Sequence, residues 1–283
     1  MKTCVFIFSF MFSILISFPA LATLTTTCKG VDVDARHFNY CVRKNTESKA
    51  IIYFFHGILG SSSSYKKVTN ELDSIWQKKG IPLPNVVAIS FGASWVMTEA
   101  RGGAGLYKYF SQTAQPYLEK EFLFDNRFKR MVIGMSMGGF NAVQAFGKNP
   151  GMFERAAFIC PALHIISPFS TDDEVNAFIK RTGATRYLVN LAQDIGRKEY
   201  ADLNDWNQEG PFAVASRINA VNIPIYISIG DQDQFGFQEG AHAFSELMKT
   251  RSPLVEFYLI KGSGHCAWAG KELAAYLEPS LIP

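Results

Sequence analysis

Ser136 is flanked two residues away on each side by glycine, in Gly134-Met135-Ser136-Met137-Gly138, after the apolar run Met131-Val132-Ile133 and before Phe140-Asn141-Ala142-Val143. This G-x-S-x-G spacing suits a strand that turns sharply into a helix with serine at the reversal. A serine there sits in strained backbone. The small residues around it let strand and helix approach closely. Its hydroxyl points outward at a helix N-terminus, where free N–H groups and a positive partial charge favour developing negative charge. The plain alternative is an inert, solvated serine in an ordinary strand–turn–helix.

A serine hydroxyl is a poor nucleophile until a neighbouring base takes its proton. His265, in Gly262-Ser263-Gly264-His265 after the last apolar run, is such a base near neutral pH and can return the proton to a leaving alcohol. A carboxylate must then hold the imidazole tautomer and stabilise the imidazolium. Asp231 and Asp233 both follow the run Ile223–Ile229. Asp233 stands further round the turn and is the preferred partner. Asp231 reads as a turn cap, a common use of aspartate. Two backbone donors must also face the developing oxyanion. Met137 N–H, directly after the serine, is one. Ile58 N–H, in the His56-Gly57-Ile58 turn, is the other, with Gly57 leaving that backbone unobstructed and His56 bracing the loop. His37, His164 and His242 lack such a setting and read as structural or surface residues.

The elements that must position these groups follow from periodicity. Ala50–Phe55 and Asn85–Ser90 are continuous apolar runs of the kind buried parallel strands show. Further strands are expected at 129–133, 156–160, 223–229 and 254–260, and an antiparallel opening at 28–44. Helices are expected at 65–79, with Leu72, Ile75 and Trp76 on one face, at 106–122 with a kink at Pro116, at 140–146 and at 239–249. Strands alternating with helices imply a mostly parallel sheet covered on both faces. In such a sheet, loops at the carboxyl ends of strands share one edge, and sites form there. Residues 167–221 are helical and polar, an insertion able to overhang that edge. Its Trp206 and Phe212 read as insertion core or as substrate contacts.

The strand–His56-Gly57 turn, the Gly134–Gly139 stretch, Gly230-Asp231-Gln232-Asp233, and Gly264-His265 with Trp268 resemble the α/β-hydrolase superfamily. The order serine, aspartate, histidine is that of the superfamily. Within it, Ser136-Met137-Gly138-Gly139 and the closing His265-x-x-Trp268 are similar to the esterase D / feruloyl esterase / mycolyltransferase group. The resemblance implies an α/β-hydrolase fold over nearly all of residues 23–283, with Ser136 as nucleophile, Asp233 as acid and His265 as base. It implies a serine esterase acting on a small-molecule, lipid or aromatic acyl ester, with no cofactor. The 167–221 insertion has no counterpart in that pattern, so substrate class does not carry over. An acyltransferase or a peptidase would use the same groups. A non-catalytic binding protein would be expected to have lost one of them.

Composition sets the remaining bounds. The 283 residues can bury one large core as a single domain. A formal charge of +3, with no lysine/arginine run, argues against nucleic acid as a partner. Residues 1–22 have a basic start, an apolar stretch from Cys4 to Leu15 and Ala20-Leu21-Ala22, the pattern of an export signal. A soluble mature chain from about Thr23, secreted or periplasmic, is the expectation. That destination argues against the cytosolic S-formylglutathione hydrolase role found in part of the group. Cys28, Cys41, Cys160 and Cys266 would then meet an oxidising compartment. Cys28–Cys41 is the favoured bridge. Cys160 and Cys266 either pair near the catalytic edge or stay as buried thiols. No cysteine or histidine spacing suggests zinc.

Overall fold

The computed structural model describes residues 24–219 and 221–282, so the expected signal at 1–22 lies outside the described residues. A sheet of eight strands runs through the molecule. Its centre is β3 (Ala50–Phe55), β4 (Asn85–Ser90), β5 (Lys129–Met135), β6 (Arg155–Ile159) and β7 (Ile225–Gly230). Every residue of β3, β4 and β7 is buried, which is why their sequences are apolar without alternation. At one edge β1 (Leu24–Val33) and β2 (Arg36–Asn45) form an antiparallel hairpin in which β2 alone runs against the other strands, turning through Asp34 and Ala35 at positive φ. At the other edge lies β8 (Val255–Ile260), parallel to β7. The order is β1-β2-β4-β3-β5-β6-β7-β8.

The chain steps from β3 to β4 in one direction across the sheet and from β5 to β6 in the other. Right-handed crossovers therefore put the connecting helices α1 (Lys66–Lys78) and α4 (Met137–Lys148) on opposite faces. On the α1 face, Leu72 and Trp76 are fully buried and Ile75 partly so. Trp76 Nε1 donates to the Ala274 carbonyl of the closing helix α10 (Gly270–Leu277) at 3.1 Å. On the other face α4 packs over β3, β5 and β6, beside α9 (Phe237–Lys249) over β7 and β8. The helix across 106–122 is broken as Pro116 requires. α2 (Leu106–Tyr109) passes through one π-helical turn, 110–114, into α3 (Gln115–Phe122), with proline in its first turn.

The 167–221 insertion leaves the sheet after β6 and returns before β7 as α5 (Asp172–Thr182), α6 (Arg186–Glu199), α7 (Leu203–Glu209) and α8 (Pro211–Ser216). α5 starts on a full capping box, Thr171 with Glu174. A small cluster of Val175, Phe178, Ala184 and Val189 gives the insertion apolar packing of its own. Both cysteine pairs are bonded: Cys28 to Cys41 across the β1–β2 hairpin, and Cys160 to Cys266. The free-thiol alternative for the second pair is set aside. Among the described residues no helix is long and apolar enough to cross a membrane.

Candidate active site

β5 delivers Ser136 into α4 through a reversal with φ +57° and ψ −119°, a left-handed backbone that serine rarely adopts. Three hydrogen bonds hold it there. Ser136 N–H donates to the Ile159 carbonyl at 2.9 Å, and the Ser136 carbonyl accepts from Phe140 N–H at 3.1 Å and Ala162 N–H at 3.0 Å. The flanking glycines are steric necessities. A Cβ at Gly138 would overlap the Phe55 carbonyl of β3, and one at Gly134 would overlap the Gly138 carbonyl.

The histidine and aspartate come from the two strands at the far edge. His265 follows β8, and its Nε2 lies 2.8 Å from Ser136 Oγ. Asp233 follows β7, is 1% exposed, and its Oδ2 lies 2.6 Å from His265 Nδ1. With Nδ1–H donating to a carboxylate, Nε2 carries the lone pair that accepts from the serine hydroxyl. Asp233 Oδ1 accepts Phe235 N–H at 2.8 Å, which fixes the carboxylate's orientation. Asp231 is not part of this arrangement: its Oδ1 accepts Gly262 N–H at 2.8 Å and ties the β7 turn to the β8 turn.

The histidine loop is anchored on several sides. Gln234 Oε1 accepts His265 N–H at 3.3 Å. The Phe235 and Phe237 rings pack on the imidazole with centroids 4.7 and 5.7 Å away. Cys266, the next residue, is bonded to Cys160 at the end of β6. Trp268 Nε1 donates to Glu71 Oε2 of α1 at 2.9 Å. His164 is structural, as the sequence suggested, but close to the chemistry. Its Nε2–H donates to the Phe235 carbonyl at 2.7 Å, and burial pushes its pKa down to about 4, so the ring stays neutral.

The β3 turn supplies the other wall. His56 is buried, and burial lowers its pKa. Trp95 Nε1–H donates to its Nε2 at 3.0 Å, with Ser90 Oγ 2.7 Å from the same nitrogen, which leaves Nδ1–H to donate to the Gly57 carbonyl at 2.7 Å. Gly60 N–H donates to the same carbonyl at 3.0 Å. In a trans peptide the N–H points opposite the C=O. Pinning Gly57 C=O on one side therefore aims Ile58 N–H to the other. Ile58 and Met137 both line the cavity beside Ser136, and neither amide donates to another described residue. Trp95 and Ser90 were not anticipated; their apolar or loop setting carried no signal.

This cavity, about 90 Å³ of space for water-sized centres within a cleft that opens to solvent, lies between the sheet edge and the insertion. Its walls are mainly apolar, among them Phe140, Ile166, Leu191, Trp206 and Phe237. Trp206 lines it, whereas Phe212 packs toward Phe244, with centroids 6.2 Å apart, and stays outside. Glu199 and Tyr200 also reach it; nothing in the sequence singled them out.

A family model described as "Putative esterase" matches residues 39–276. Among solved structures, an arylesterase superposes with TM-score 0.63 at 14% identity, covering 91% of this chain and 86% of its own. An S-formylglutathione hydrolase from Agrobacterium tumefaciens superposes with TM-score 0.62 at 14% identity, covering 94% and 96%. A ferulic acid esterase superposes with TM-score 0.58 at 15% identity, covering 92% and 97%. At these identities the likeness establishes the α/β-hydrolase fold. No curated protein matches the sequence.

Proposed function

The chain belongs to the "Putative esterase" family and is a carboxylic ester hydrolase, and we propose that it works through an acyl-enzyme on Ser136. The observation that carries this reading is the unbroken hydrogen-bond path from Ser136 Oγ through both nitrogens of His265 to Asp233, at 2.8 and 2.6 Å. Ser136 Oγ attacks the ester carbonyl carbon as its proton passes to His265 Nε2. Asp233 stabilises the imidazolium across the Nδ1 hydrogen bond. The carbonyl oxygen takes up negative charge and turns toward the Ile58 and Met137 amides. One such donor is worth about 3–4 kcal/mol of transition-state stabilisation. The C–O bond to the alcohol then breaks, and the alcohol leaves with the proton from Nε2. Water attacks the acyl carbon as Nε2 takes its proton. The carboxylic acid departs and Ser136 recovers its hydrogen.

The apolar cavity accommodates one arm of a small-molecule ester, alkyl or aromatic. Residues 1–22 serve as an export signal in this reading. The two disulfides support an oxidising destination. N-terminal sequencing of the exported protein, with a start near Thr23 expected, tests that part.

The mechanism is tested with a fluorophosphonate probe on purified protein. Wild type is expected to label covalently and lose ester turnover in proportion, while Ser136→Ala neither labels nor turns over. Equal labelling of Ser136→Ala, or a labelled wild type that keeps full turnover, refutes it.

A further inference from the structure

Glu199 borders the cavity without a task in the chemistry. On α6, residues 191, 192, 195, 196 and 199 line the cavity on one helix face, joined by Gln193, whose Nε2 donates to the Ser167 carbonyl at 3.1 Å. Glu199 is the charged member of that face. Its Oε2 is sealed from solvent and has no hydrogen-bond partner. It lies against the backbone of the loop after β4: a Cβ added at Gly103 would sit 3.0 Å from it. Among the described residues neither carboxyl oxygen of Glu199 makes a hydrogen bond or ion pair. Arg101, in the same loop as Gly103, donates to Asp202 at 2.7 Å.

Burial raises the Glu199 pKa, with no compensating partner to offset it. A carboxyl placed this way costs stability, since desolvating a polar group is repaid only by a hydrogen bond. Among the described residues it caps nothing and pairs with nothing. A leucine or methionine on the same helix face would serve the apolar wall better. Oε2 is walled off against the loop, but Oε1 is not sealed and has no partner among the described residues, so the position offers an unsatisfied acceptor bordering a mainly apolar binding space, and that is how sites discriminate for a polar group on a ligand.

We propose that Glu199 is a specificity-determining residue: it accepts a hydrogen bond from a donor, a hydroxyl or an ammonium, on the substrate arm that fills the cavity. The inference rests on the hydrolase reading above. The arm is otherwise apolar, alkyl or aryl, because the surrounding wall, with Trp206 and Phe237, offers it little else.

The test compares matched esters of graded length: methyl ω-hydroxyalkanoates, methyl ω-aminoalkanoates and methyl alkanoates for the acyl arm, and ω-hydroxyalkyl and alkyl acetates for the alcohol arm. In wild type, at a chain length that spans the cavity, kcat/KM for the hydroxylated ester is expected to exceed that of its alkyl counterpart by about tenfold to a hundredfold. In Glu199→Leu that ratio is expected to invert. In Glu199→Gln, which keeps an acceptor but loses the charge, the hydroxyl preference should persist while any ammonium preference falls. Equal or lower turnover of the donor-bearing esters by wild type at every length and on both arms overturns the proposal, whatever the variants do. So does a preference that survives in Glu199→Leu. Failure to turn over any ester overturns the hydrolase reading itself, an outcome distinct from turnover without discrimination.

Discussion

Replacing Asp233 by asparagine should abolish most of the activity while sparing the fold. The carboxylate has two contacts, and they separate cleanly. Oδ1 accepts Phe235 N–H at 2.8 Å, and an amide oxygen can do the same. Oδ2 accepts His265 Nδ1–H at 2.6 Å, and there the amide NH₂ must stand if the first contact is kept. An NH₂ facing Nδ1 favours the tautomer protonated on Nε2, which cannot take the Ser136 proton. The charge is lost as well. At an effective dielectric near 20, two unit charges about 4 Å apart attract by about 4 kcal/mol, and with Asp233 only 1% exposed little water screens that attraction. Tautomer and charge together predict a fall in kcat of about 10⁴, or about 5.5 kcal/mol. The assay is kcat and kcat/KM on one alkyl ester for wild type, Asp233→Asn and Asp231→Asn, beside thermal unfolding of each. Asp231 holds Gly262 N–H, a contact asparagine can reproduce, so its variant should stay within about threefold of wild type. A folded Asp233→Asn within tenfold of wild type refutes the reasoning, as does an Asp231→Asn that falls as far.

Two further outcomes follow from groups around the site. His164 is neutral and buried with its pKa lowered from 6.5 to about 4, so its contribution to stability is complete above pH 6.5 and is lost as pH falls toward 4. At about 1.4 kcal/mol per pH unit this is about 3 kcal/mol; urea midpoints for His164→Gln should fall less steeply than wild type over that range, and parallel curves would refute it. The Cys160–Cys266 disulfide closes a loop of 106 residues, against 13 for Cys28–Cys41, so a chain-entropy estimate assigns it about 4–5 kcal/mol against about 3. Because Cys266 is bonded to His265 along the chain, Cys160→Ser/Cys266→Ser should also lower kcat at temperatures where it remains folded, whereas Cys28→Ser/Cys41→Ser should not; equal kcat in the two double variants would count against this.

The groups that were legible in the sequence are those whose backbone setting leaves a chemical trace. Ser136 announces itself because two close approaches, Gly134 against α4 and Gly138 against β3, admit no side chain. Pro116 announces a break because it lacks an N–H, although the particular remedy, a π-helical turn rather than a kink, depended on packing. Strand ends came out a residue or two differently. β5 continues through Met135 because Gly134 and Met135 still pair with β6, a contact that no local pattern encodes. The choice between Asp231 and Asp233 turned on which way two residues face within one turn. Both lie in the same short polar segment, and only the register of β7 against β8 separates their tasks.

The cavity was least legible, and for a physical reason. Its chemistry-facing side is built on the carboxyl ends of β3, β5, β7 and β8, where strand topology forces the loops together. Its opposite wall is one face of α6, and an amphipathic helix gives the same periodic signal whether its apolar face meets core or an empty cleft. Glu199 shows the difficulty. Read along the chain it closes Gly196-Arg197-Lys198-Glu199, a solvated helix end. In the fold its neighbours at 195 and 196 face the cavity, and Glu199 borders it with them, its Oε2 sealed against the loop after β4. Reaction type in this protein is thus written in glycine positions and loop ends, which a sequence displays. Selectivity depends on which helix face the insertion presents, and that is decided only when the insertion docks on the sheet.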